Sequence, residues 1–235
     1  MTRTTAPSPA GLSLFITGTD TGVGKTLVSA ALLHALSKHH ARVVGMKPVA
    51  AGTESINGVQ ANDDVLALRA ASSCPVPPEL DNPVLLPDPV SPHIAAARAG
   101  ARIDIDHLVA CHRALAQLAD AVVVEGAGGF LVPLSATETG ADLAQALGLP
   151  VVLVVGLRLG CLNHALLTAE AIRARGLTLA GWVANHVDPA MLAQEDNIAF
   201  LQQRLQAPLL ASIPHLGAGV PDPRAFSFQL PPAWQ

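Results

Sequence analysis

The sequence has 235 residues, of which 50% are hydrophobic, and a formal net charge of −4. That length and apolar content suffice for one large core, so we expect a single domain over residues 1–235. With 14% charged and 3% aromatic residues, the chain offers neither a basic surface nor stacking platforms, which argues against nucleic acid as a partner.

Targeting and redox signals favour a cytoplasmic protein with no membrane partner. Apolar runs such as residues 151–155 are far shorter than the roughly 18 residues that a membrane span requires. The first nine residues lack the apolar segment of a signal peptide. The three cysteines, Cys74, Cys111 and Cys161, are odd in number and far apart, which is typical of a reducing compartment.

Apolar patterns predict strands and helices that alternate along the chain. Continuous β-branched runs indicate buried parallel strands, and apolar residues at helical spacing indicate the helices between them. A polar stretch, residues 51–60, is expected to be a loop, and residues 75–92, with seven prolines, a rigid irregular connection. The predicted strands are 12–16, 42–47, 121–125, 151–155, 179–185 and 209–213. The predicted helices are 25–37, 62–71, 92–99, 106–119, 163–174 and 191–205.

This alternation predicts an α/β fold with a doubly wound, mainly parallel sheet and helices on both faces. In such sheets ligands bind at the carboxyl ends of the strands, so polar residues just past those ends are candidate site residues. At the termini, residues 1–11 are expected to be flexible, and residues 217–235, which are rich in glycine and proline, to form a loosely held tail.

The most specific signal is the loop at residues 17–26, which reads TGTDTGVGKT directly after the first predicted strand. A glycine-rich turn between a strand and a helix directs backbone N–H groups and the positive end of the helix dipole at one point, where an anion binds. Gly22 and Gly24 allow positive φ angles. Lys25 and Thr26 supply an ammonium for phosphate and a hydroxyl for Mg²⁺. The sequence therefore predicts a fold of the P-loop NTPase type.

Polar residues at the other strand ends complete a set suited to phosphoryl transfer. Lys47, Glu125 and Asn185 each stand at the end of a predicted strand, and Asp64 begins a helix that can face the same crevice. Carboxylates hold Mg²⁺, and a second cation neutralises the transferred group. Each residue has an ordinary alternative: a solvated strand end for Lys47, a salt bridge for Glu125, a helix cap for Asp64 and an Asx turn for Asn185.

Two further patterns are weak. Residues 185–188, NHVD, differ from the guanine-reading NKxD turn of GTPases because His186 replaces the lysine. His107 and Cys111 stand four apart on a predicted helix, a spacing that can hold zinc, but no further paired ligands lie nearby in the sequence. An ordinary helix face is expected there.

Six short motifs, in this order, resemble those of one family, dethiobiotin synthetase, the ATP-dependent carboxylase of biotin synthesis. Each alone can arise by chance, but the ordered set is specific and covers roughly residues 12–216. The motifs are TGTDTxVGKT at 17–26, KPVA at 47–50, SPH at 91–93, VEGAGG at 124–129, LGCxNHA at 159–165 and GWVAN at 181–185.

The resemblance implies a reaction and its partners. One amine of 7,8-diaminononanoate (diaminopelargonic acid) takes up CO₂, supplied by bicarbonate, to form a carbamate. ATP phosphorylates the carbamate, and the second amine closes the ureido ring with release of phosphate. The resemblance also implies Mg²⁺ as cofactor and a homodimer in which the second subunit holds the substrate carboxylate.

Residue roles follow from the matching positions. The resemblance implies that Thr26, Asp64 and Glu125 hold Mg²⁺, and that Lys47 and Lys25 are catalytic. Residues that would contact the nucleotide are Gly22, Val23, Gly24, Lys25, Thr26, Leu27, Asp64, Glu125, Gly126, Ala127, Gly128, Asn185, His186, Pro214, His215 and Leu216. Residues that would contact the diamine are Thr21, Lys47, Ala51, Gly160, Cys161, Leu162 and Asn163. The last four lie at a predicted helix N-terminus, where an anion is favoured.

Three residues depart from the family pattern. Gly22 replaces a frequent glutamate in the P-loop, Ala51 replaces a frequent serine after KPVA, and His186 replaces a frequent aspartate after Asn185. These changes bear on nucleotide contacts, on a hydroxyl to the substrate and on base selectivity, respectively. Neither the implied metal ligands nor Lys47 are affected.

Two other classes share parts of the pattern. Switch ATPases of the partitioning and septum-site kind share the sheet, but they carry a second lysine early in the P-loop, where this chain has Thr19, Asp20 and Thr21. Cobyrinate-type amidotransferases share the glycine-rich turns, but they usually carry a glutaminase domain that 235 residues do not accommodate. The ring-forming carboxylase is the leading hypothesis.

Overall fold

The computed structural model describes residues 11–56, 58–217 and 221–235. The segment expected to be a flexible N-terminus, residues 1–11, lies outside these ranges except for Gly11. Within them, every helix is too short or too polar to cross a lipid bilayer.

These parts of the chain form ten strands and eight helices, and strands and helices alternate strictly from β7 onward. The strands are β1 (Leu12–Gly18), β2 (Val43–Met46), β3 (Val49–Ala51), β4 (Glu54–Ile56), β5 (Val59–Ala61), β6 (Val84–Leu86), β7 (Ala121–Gly129), β8 (Val151–Gly156), β9 (Leu179–Asn185) and β10 (Leu209–Ile213). The helices are α1 (Lys25–Leu36), α2 (Asp63–Ala71), α3 (Pro78–Asp81), α4 (Pro92–Ala99), α5 (Ile105–Leu118), α6 (Gly140–Leu147), α7 (Cys161–Ala174) and α8 (Gln194–Arg204).

The central sheet has six strands in the order β10-β9-β8-β1-β7-β2, and every neighbouring pair is parallel. Side chains of α1 and α2 pack on one face of the sheet, and side chains of α5 to α8 pack on the other. The predicted doubly wound fold is confirmed. Because all six strands run the same way, their carboxyl ends lie at one edge. Gly18 and Asn185 end β1 and β9 there, and Glu125 lies within β7, four residues before its end.

The apolar runs form these strands because both faces of the sheet are covered. All side chains of β8 and the first six residues of β7 are buried, which is why their sequences show continuous β-branched residues rather than alternation. β7 is longer than expected. It continues beside β1 through Gly129, with a change of register between the pairs Ile16–Glu125 and Gly18–Gly129.

Two segments expected to be irregular contain regular structure. The polar stretch at residues 51–60 holds most of an antiparallel hairpin, β4–β5, and the proline-rich stretch at residues 75–92 holds α3 and β6. β6 pairs in parallel with β3. Proline cannot donate a hydrogen bond between strands, so it interrupts long strand pairings. A pairing of only three residues is still possible between two prolines.

Helix α6 was missed by the sequence analysis, although its start and end carry recognisable signals. The Asp142 carboxylate accepts hydrogen bonds of 2.7 Å from both the N–H and the hydroxyl of Thr139. Gly148 ends the helix with φ of 65°. A Thr-x-x-Asp start and a glycine end predict a short helix even where the apolar pattern is brief.

The expectation of a loosely held tail is wrong for residues 221–235. Phe226, Phe228 and Leu230 pack against the core on the α1 face, and Trp234 is only 6% exposed. The Gln229 N–H donates to the carbonyl of Leu210 in β10 at 2.8 Å. Glycine and proline limit this segment to two short 3₁₀ turns, but its aromatic side chains still bury apolar surface.

Replacing Trp234 with alanine is expected to lower the free energy of unfolding by about 3 kcal/mol, at the low end for a buried tryptophan because a terminal segment can relax. Urea denaturation measures this change. Leu192→Ala is the control, since Leu192 is 86% exposed and its truncation should change stability by less than about 0.5 kcal/mol. Equal stability of the two variants would contradict the packing of the tail.

Candidate active site

The P-loop joins β1 to α1 in the conformation that its glycines predict. Gly22 has φ of 73° and Gly24 has φ of 84°, a region that side-chain-bearing residues rarely enter. Gly24 is the N-cap of α1, and Lys25 begins the helix. The loop therefore directs backbone N–H groups and the helix N-terminus toward the carboxyl edge of the sheet.

Four side chains from different segments converge beside this loop. Lys47 Nζ lies 2.7 Å from Glu125 Oε1 and 2.7 Å from Asp64 Oδ2. Thr26 Oγ1 lies 2.6 Å from Asp64 Oδ1 and 3.0 Å from Glu125 Oε1. Glu125 is fully buried and Lys47 is 4% exposed. The structure thus brings together the residues that the strand ends and the helix start marked as candidates.

The charges of this cluster stabilise one another. Burial alone lowers the pKa of Lys47, but Glu125 and Asp64 together outweigh burial and hold that pKa above its ordinary value. Burial raises the pKa of Asp64, but Lys47, Thr26 and Lys25 more than compensate, so the net shift is downward. Lys47 and Asp64 are therefore charged at neutral pH.

The P-loop lysine differs from Lys47. Burial lowers the pKa of Lys25, and the nearby ammonium of Lys47 lowers it further, against the opposing effects of Glu125 and Asp64. Lys25 Nζ is 3.3 Å from the carbonyl oxygen of Asp20. A bound anion would stabilise its charged form, so the loop is suited to a polyanionic ligand.

The donor set fits Mg²⁺. Glu125 Oε2 is buried and has no hydrogen-bond partner among the residues that the structure describes, which is costly unless a cation or water satisfies it. Thr26, whose hydroxyl lies within hydrogen-bond distance of Asp64 Oδ1 and of Glu125 Oε1, adds a hydroxyl, and Asp64 adds a second carboxylate. Mg²⁺ is held in this way, by one or two carboxylates, with water and substrate phosphates as its other ligands.

The main chain of Lys47 is fixed by residues that the sequence analysis did not single out. Its N–H donates to the carbonyl of Asp81 at 2.7 Å, and its carbonyl accepts from Asn82 Nδ2 at 2.8 Å. The Arg69 guanidinium binds both carboxylate oxygens of the buried Asp81, at 2.6 and 2.7 Å. The proline-rich segment therefore supports Lys47 from behind.

Replacing Asn82 with alanine is expected to lower kcat about tenfold with little change in the KM for ATP, because a small displacement of Lys47 misaligns it in the transition state. Steady-state kinetics measure kcat and the KM for ATP separately. Asn197→Ala is the matched control, since Asn197 also donates to a main-chain carbonyl, that of Ala193 in the turn before α8. An unchanged kcat in the Asn82 variant would contradict a supporting role.

Asn185, at the end of β9, is attached to the P-loop. Its Nδ2 donates to the carbonyl of Val23 at 2.8 Å, and the residue is 7% exposed. Its Nδ2 is therefore engaged with the P-loop. A Cβ on Gly24 would lie closer than 3.0 Å to the same Nδ2, so glycine is needed there for space as well as for φ.

Beyond Asn185 lies an open hollow of about 400 Å³, lined in part by His186, Pro214 and His215. His186 Nδ1 is 2.6 Å from Gln194 Oε1. Because Gln194 Nε2 donates to the carbonyl of Asp188, its Oε1 is an acceptor, and His186 Nδ1 carries the proton. The hollow is large enough for a heteroaromatic base. Leu216 instead packs, partly buried, against the core on the α1 face.

The other residues predicted to contact the nucleotide or the diamine lie in α1, in β7, in β3 and in the P-loop. Leu27 is half-buried in α1, Gly126, Ala127 and Gly128 continue β7, and Ala51 ends β3. A Cβ on Gly128 would lie 3.4 Å from the hydroxyl of Thr21, so these two residues adjoin.

The stretch Gly160–Asn163 lies at the start of α7, as predicted, with Gly160 as the N-cap at φ of 94°. Cys161 is buried, Leu162 is half-buried and Asn163 is exposed. Hydrogen bonds and ion pairs among the described residues link Thr26, Lys47, Asp64 and Glu125 to one another but do not extend to this stretch.

The His107–Cys111 pair lies on α5, with His107 Nε2 3.7 Å from Cys111 Sγ. The described parts of the chain hold no cluster of three or more histidine, cysteine, aspartate or glutamate side chains placed to bind a metal ion. A magnesium site beside the P-loop would therefore need Thr26 and ligands from the substrate and water, in addition to Asp64 and Glu125.

Comparisons with known proteins agree with the fold. A family model described as AAA domain matches residues 13–221. The ParA family ATPase from Chlorobium tepidum superposes with a TM-score of 0.55, at 15% identity over 89% of this chain and 86% of that chain. The septum site-determining protein MinD from Pyrococcus horikoshii, complexed with Mg-ADP, gives 0.54, at 19% identity over 87% and 81%.

The signal recognition particle receptor FtsY from Elizabethkingia anophelis, in complex with GDP, gives a TM-score of 0.53 at 17% identity. The match covers 97% of this chain but only 63% of the receptor's length. At such identities these likenesses show the fold alone, which is that of the P-loop NTPases.

Proposed function

This chain belongs to the AAA domain family, which includes dethiobiotin synthetase, and on that premise we propose that it is an ATP-dependent carboxylase that forms the ureido ring of dethiobiotin. Its substrates would be 7,8-diaminononanoate, CO₂ and ATP, and its products dethiobiotin, ADP and phosphate. The observation that carries the proposal is the convergence of Thr26, Lys47, Asp64 and Glu125 beside the P-loop.

ATP would bind with its phosphates along residues 22–27. The backbone N–H groups at the start of α1 and the ammonium of Lys25 supply positive charge there. Thr26, Asp64 and Glu125 would hold Mg²⁺, which when bound shields the negative charge of the phosphates. The base would enter the hollow beside His186, and Asn185 would keep the P-loop joined to β9.

Lys47 would act on the reacting groups. An unprotonated amine of the substrate attacks CO₂ and loses its proton, which gives a carbamate anion. A carbamate oxygen then attacks the γ-phosphorus of ATP, and ADP leaves. Two anions must approach each other in this step, and the charged Lys47 ammonium would neutralise both. The second amine attacks the carbamoyl carbon, and phosphate leaves as the ring closes.

A homodimer would complete the substrate site. The start of α7, residues 160–163, offers a helix N-terminus to the distant carboxylate of a substrate bound on the other subunit. Leu131 and, in α7, Leu167 are more than half exposed and line the same shallow hollow, and Leu159, just before the helix, is 95% exposed. Exposed apolar side chains of this kind support an interface there.

The test is ATP turnover by the purified protein with Mg²⁺ and labelled bicarbonate, with and without 7,8-diaminononanoate. The proposal predicts ADP formation that depends on the diamine and label in an acid-stable product. A monoamine of the same chain length is the matched control, because it can form a carbamate but cannot close the ring. ATP hydrolysis that is indifferent to the diamine, with no label fixed, would contradict the proposal and favour a switch ATPase.

A further inference from the structure

One ion pair at the P-loop has no part in the reaction described above. The guanidinium of Arg158, in the turn between β8 and α7, pairs with the carboxylate of Asp20, which lies inside the P-loop. A carboxylate at this place brings negative charge into the loop that receives a triphosphate. Left unpaired, that charge opposes nucleotide binding.

Asp20 nevertheless helps to shape the loop. Its Oδ1 accepts a 2.7 Å hydrogen bond from the N–H of Thr21, and its carbonyl oxygen lies 3.3 Å from Lys25 Nζ. Its carboxylate is also close enough to interact electrostatically with the Lys25 ammonium. The Asp20 side chain therefore stabilises the loop as a hydrogen-bond acceptor, but its negative charge opposes nucleotide binding. Asp20→Asn separates these two effects, because asparagine keeps the acceptor oxygen and has no charge.

We propose that Arg158 is a positioning residue for the nucleotide, which neutralises Asp20 and holds its carboxylate away from the bound phosphates. Both side chains are partly exposed, at 40% and 48%, so the pair contributes little to folding stability. Its effect is on the charge that a polyanion meets at the loop.

Arg158 also connects the P-loop to the start of α7. Its carbonyl accepts a 3.0 Å hydrogen bond from the N–H of Cys161, so the turn that carries Arg158 also begins α7. The nucleotide loop is thereby joined to the turn that we propose for the substrate carboxylate. The inference rests on the proposed function only in that the P-loop binds ATP.

The experiment measures the dissociation constant of Mg-ATP by isothermal titration calorimetry at low ionic strength for the unaltered protein and four variants. Arg158→Gln is expected to weaken binding about tenfold, the size of one unshielded charge near the phosphates. Asp20→Asn, which leaves the Arg158 cation unpaired, is expected to bind at least as tightly as the unaltered protein, and Arg158→Lys is expected to bind within about threefold of the unaltered protein. The double variant with Arg158→Gln and Asp20→Asn is expected to recover to the same range, because no charge is left to neutralise.

Turnover gives a second readout. Arg158→Gln should raise the KM for ATP and leave kcat within about threefold, since Arg158 does not touch the reacting atoms. Thermal unfolding should be nearly unchanged, which separates this role from a structural one. Undiminished binding by Arg158→Gln, or a double variant as weak as Arg158→Gln alone, would overturn the inference. Failure of the protein to carboxylate the diamine would overturn the proposed function and leave this comparison of ATP affinities intact.

Discussion

Replacing Lys47 with alanine is expected to lower diamine-dependent ATP turnover by about 100-fold or more, the cost of removing a buried group that stabilises charge in a transition state. Lys47 Nζ is 2.7 Å from an oxygen of each of two carboxylates and remains charged at neutral pH, so its loss removes a positioned cation from the step in which two anions meet. Initial rates of ADP formation measure the effect.

Folding must be separated from catalysis in this variant. Removing the ammonium leaves Glu125 buried and unpaired, which typically costs about 3–5 kcal/mol of stability. The double variant with Lys47→Met and Glu125→Gln removes both charges, so it should fold; it serves as a folding reference only, because Glu125 is also a proposed Mg²⁺ ligand. Lys38→Ala, at an exposed lysine after α1, should retain full activity. Turnover by the Lys47 variant within about threefold of the unaltered enzyme would contradict a catalytic role.

Replacing Gly24 with alanine is expected to weaken Mg-ATP binding by about 100-fold, because left-handed backbone costs an alanine roughly 1–2 kcal/mol and the new Cβ also displaces the Asn185 amide. The displaced amide loses its 2.8 Å hydrogen bond to the carbonyl of Val23, so the P-loop is no longer attached to β9. Calorimetric titration with Mg-ATP measures the change.

Gly22→Ala is the matched control. Gly22 also has positive φ, at 73°, but a Cβ there would meet no atom of the described residues within 4 Å. It should therefore weaken binding by about 5- to 30-fold, the cost of backbone strain alone. Adding Asn185→Ala to Gly24→Ala should remove the overlap without restoring the lost bond. Equal affinities of the two glycine variants would show that the contact with Asn185 is unimportant.

The residues found at the site from sequence share one property: each stands at the end of a buried strand or the start of a helix. Glu125 and Lys47 are charges beside apolar runs, where burial is costly unless they are paired. Parallel strands place such residues at one edge, so their meeting with Thr26 followed from the predicted sheet. The position of Asp64 on the first turn of α2 followed from the Asn62 cap, which the structure confirms with a hydrogen bond from the N–H of Val65.

What the sequence did not show depends on contacts between distant segments that have no local pattern. Asn82 lies 35 residues from Lys47, whose carbonyl it binds, and Arg158 lies 138 residues from Asp20. Neither Asn82 nor Arg158 stands at the end of a predicted strand. The expectation for the tail was wrong for a related reason. Its glycines and prolines indicate an irregular local backbone, whereas the burial of Trp234 depends on a core formed by segments far away in the chain.

The most direct test of the central claim follows the oxygen of the carbamate. Bicarbonate labelled with a heavy oxygen isotope is supplied with Mg-ATP and 7,8-diaminononanoate, the reaction is completed before CO₂ and bicarbonate lose the label to water, and the released phosphate is analysed by mass spectrometry. If the carbamate attacks ATP, one labelled oxygen appears in the phosphate, and the organic product gains one carbon and one oxygen and loses two hydrogens. Unlabelled phosphate, with its new oxygen from water and the diamine unchanged, would contradict the account.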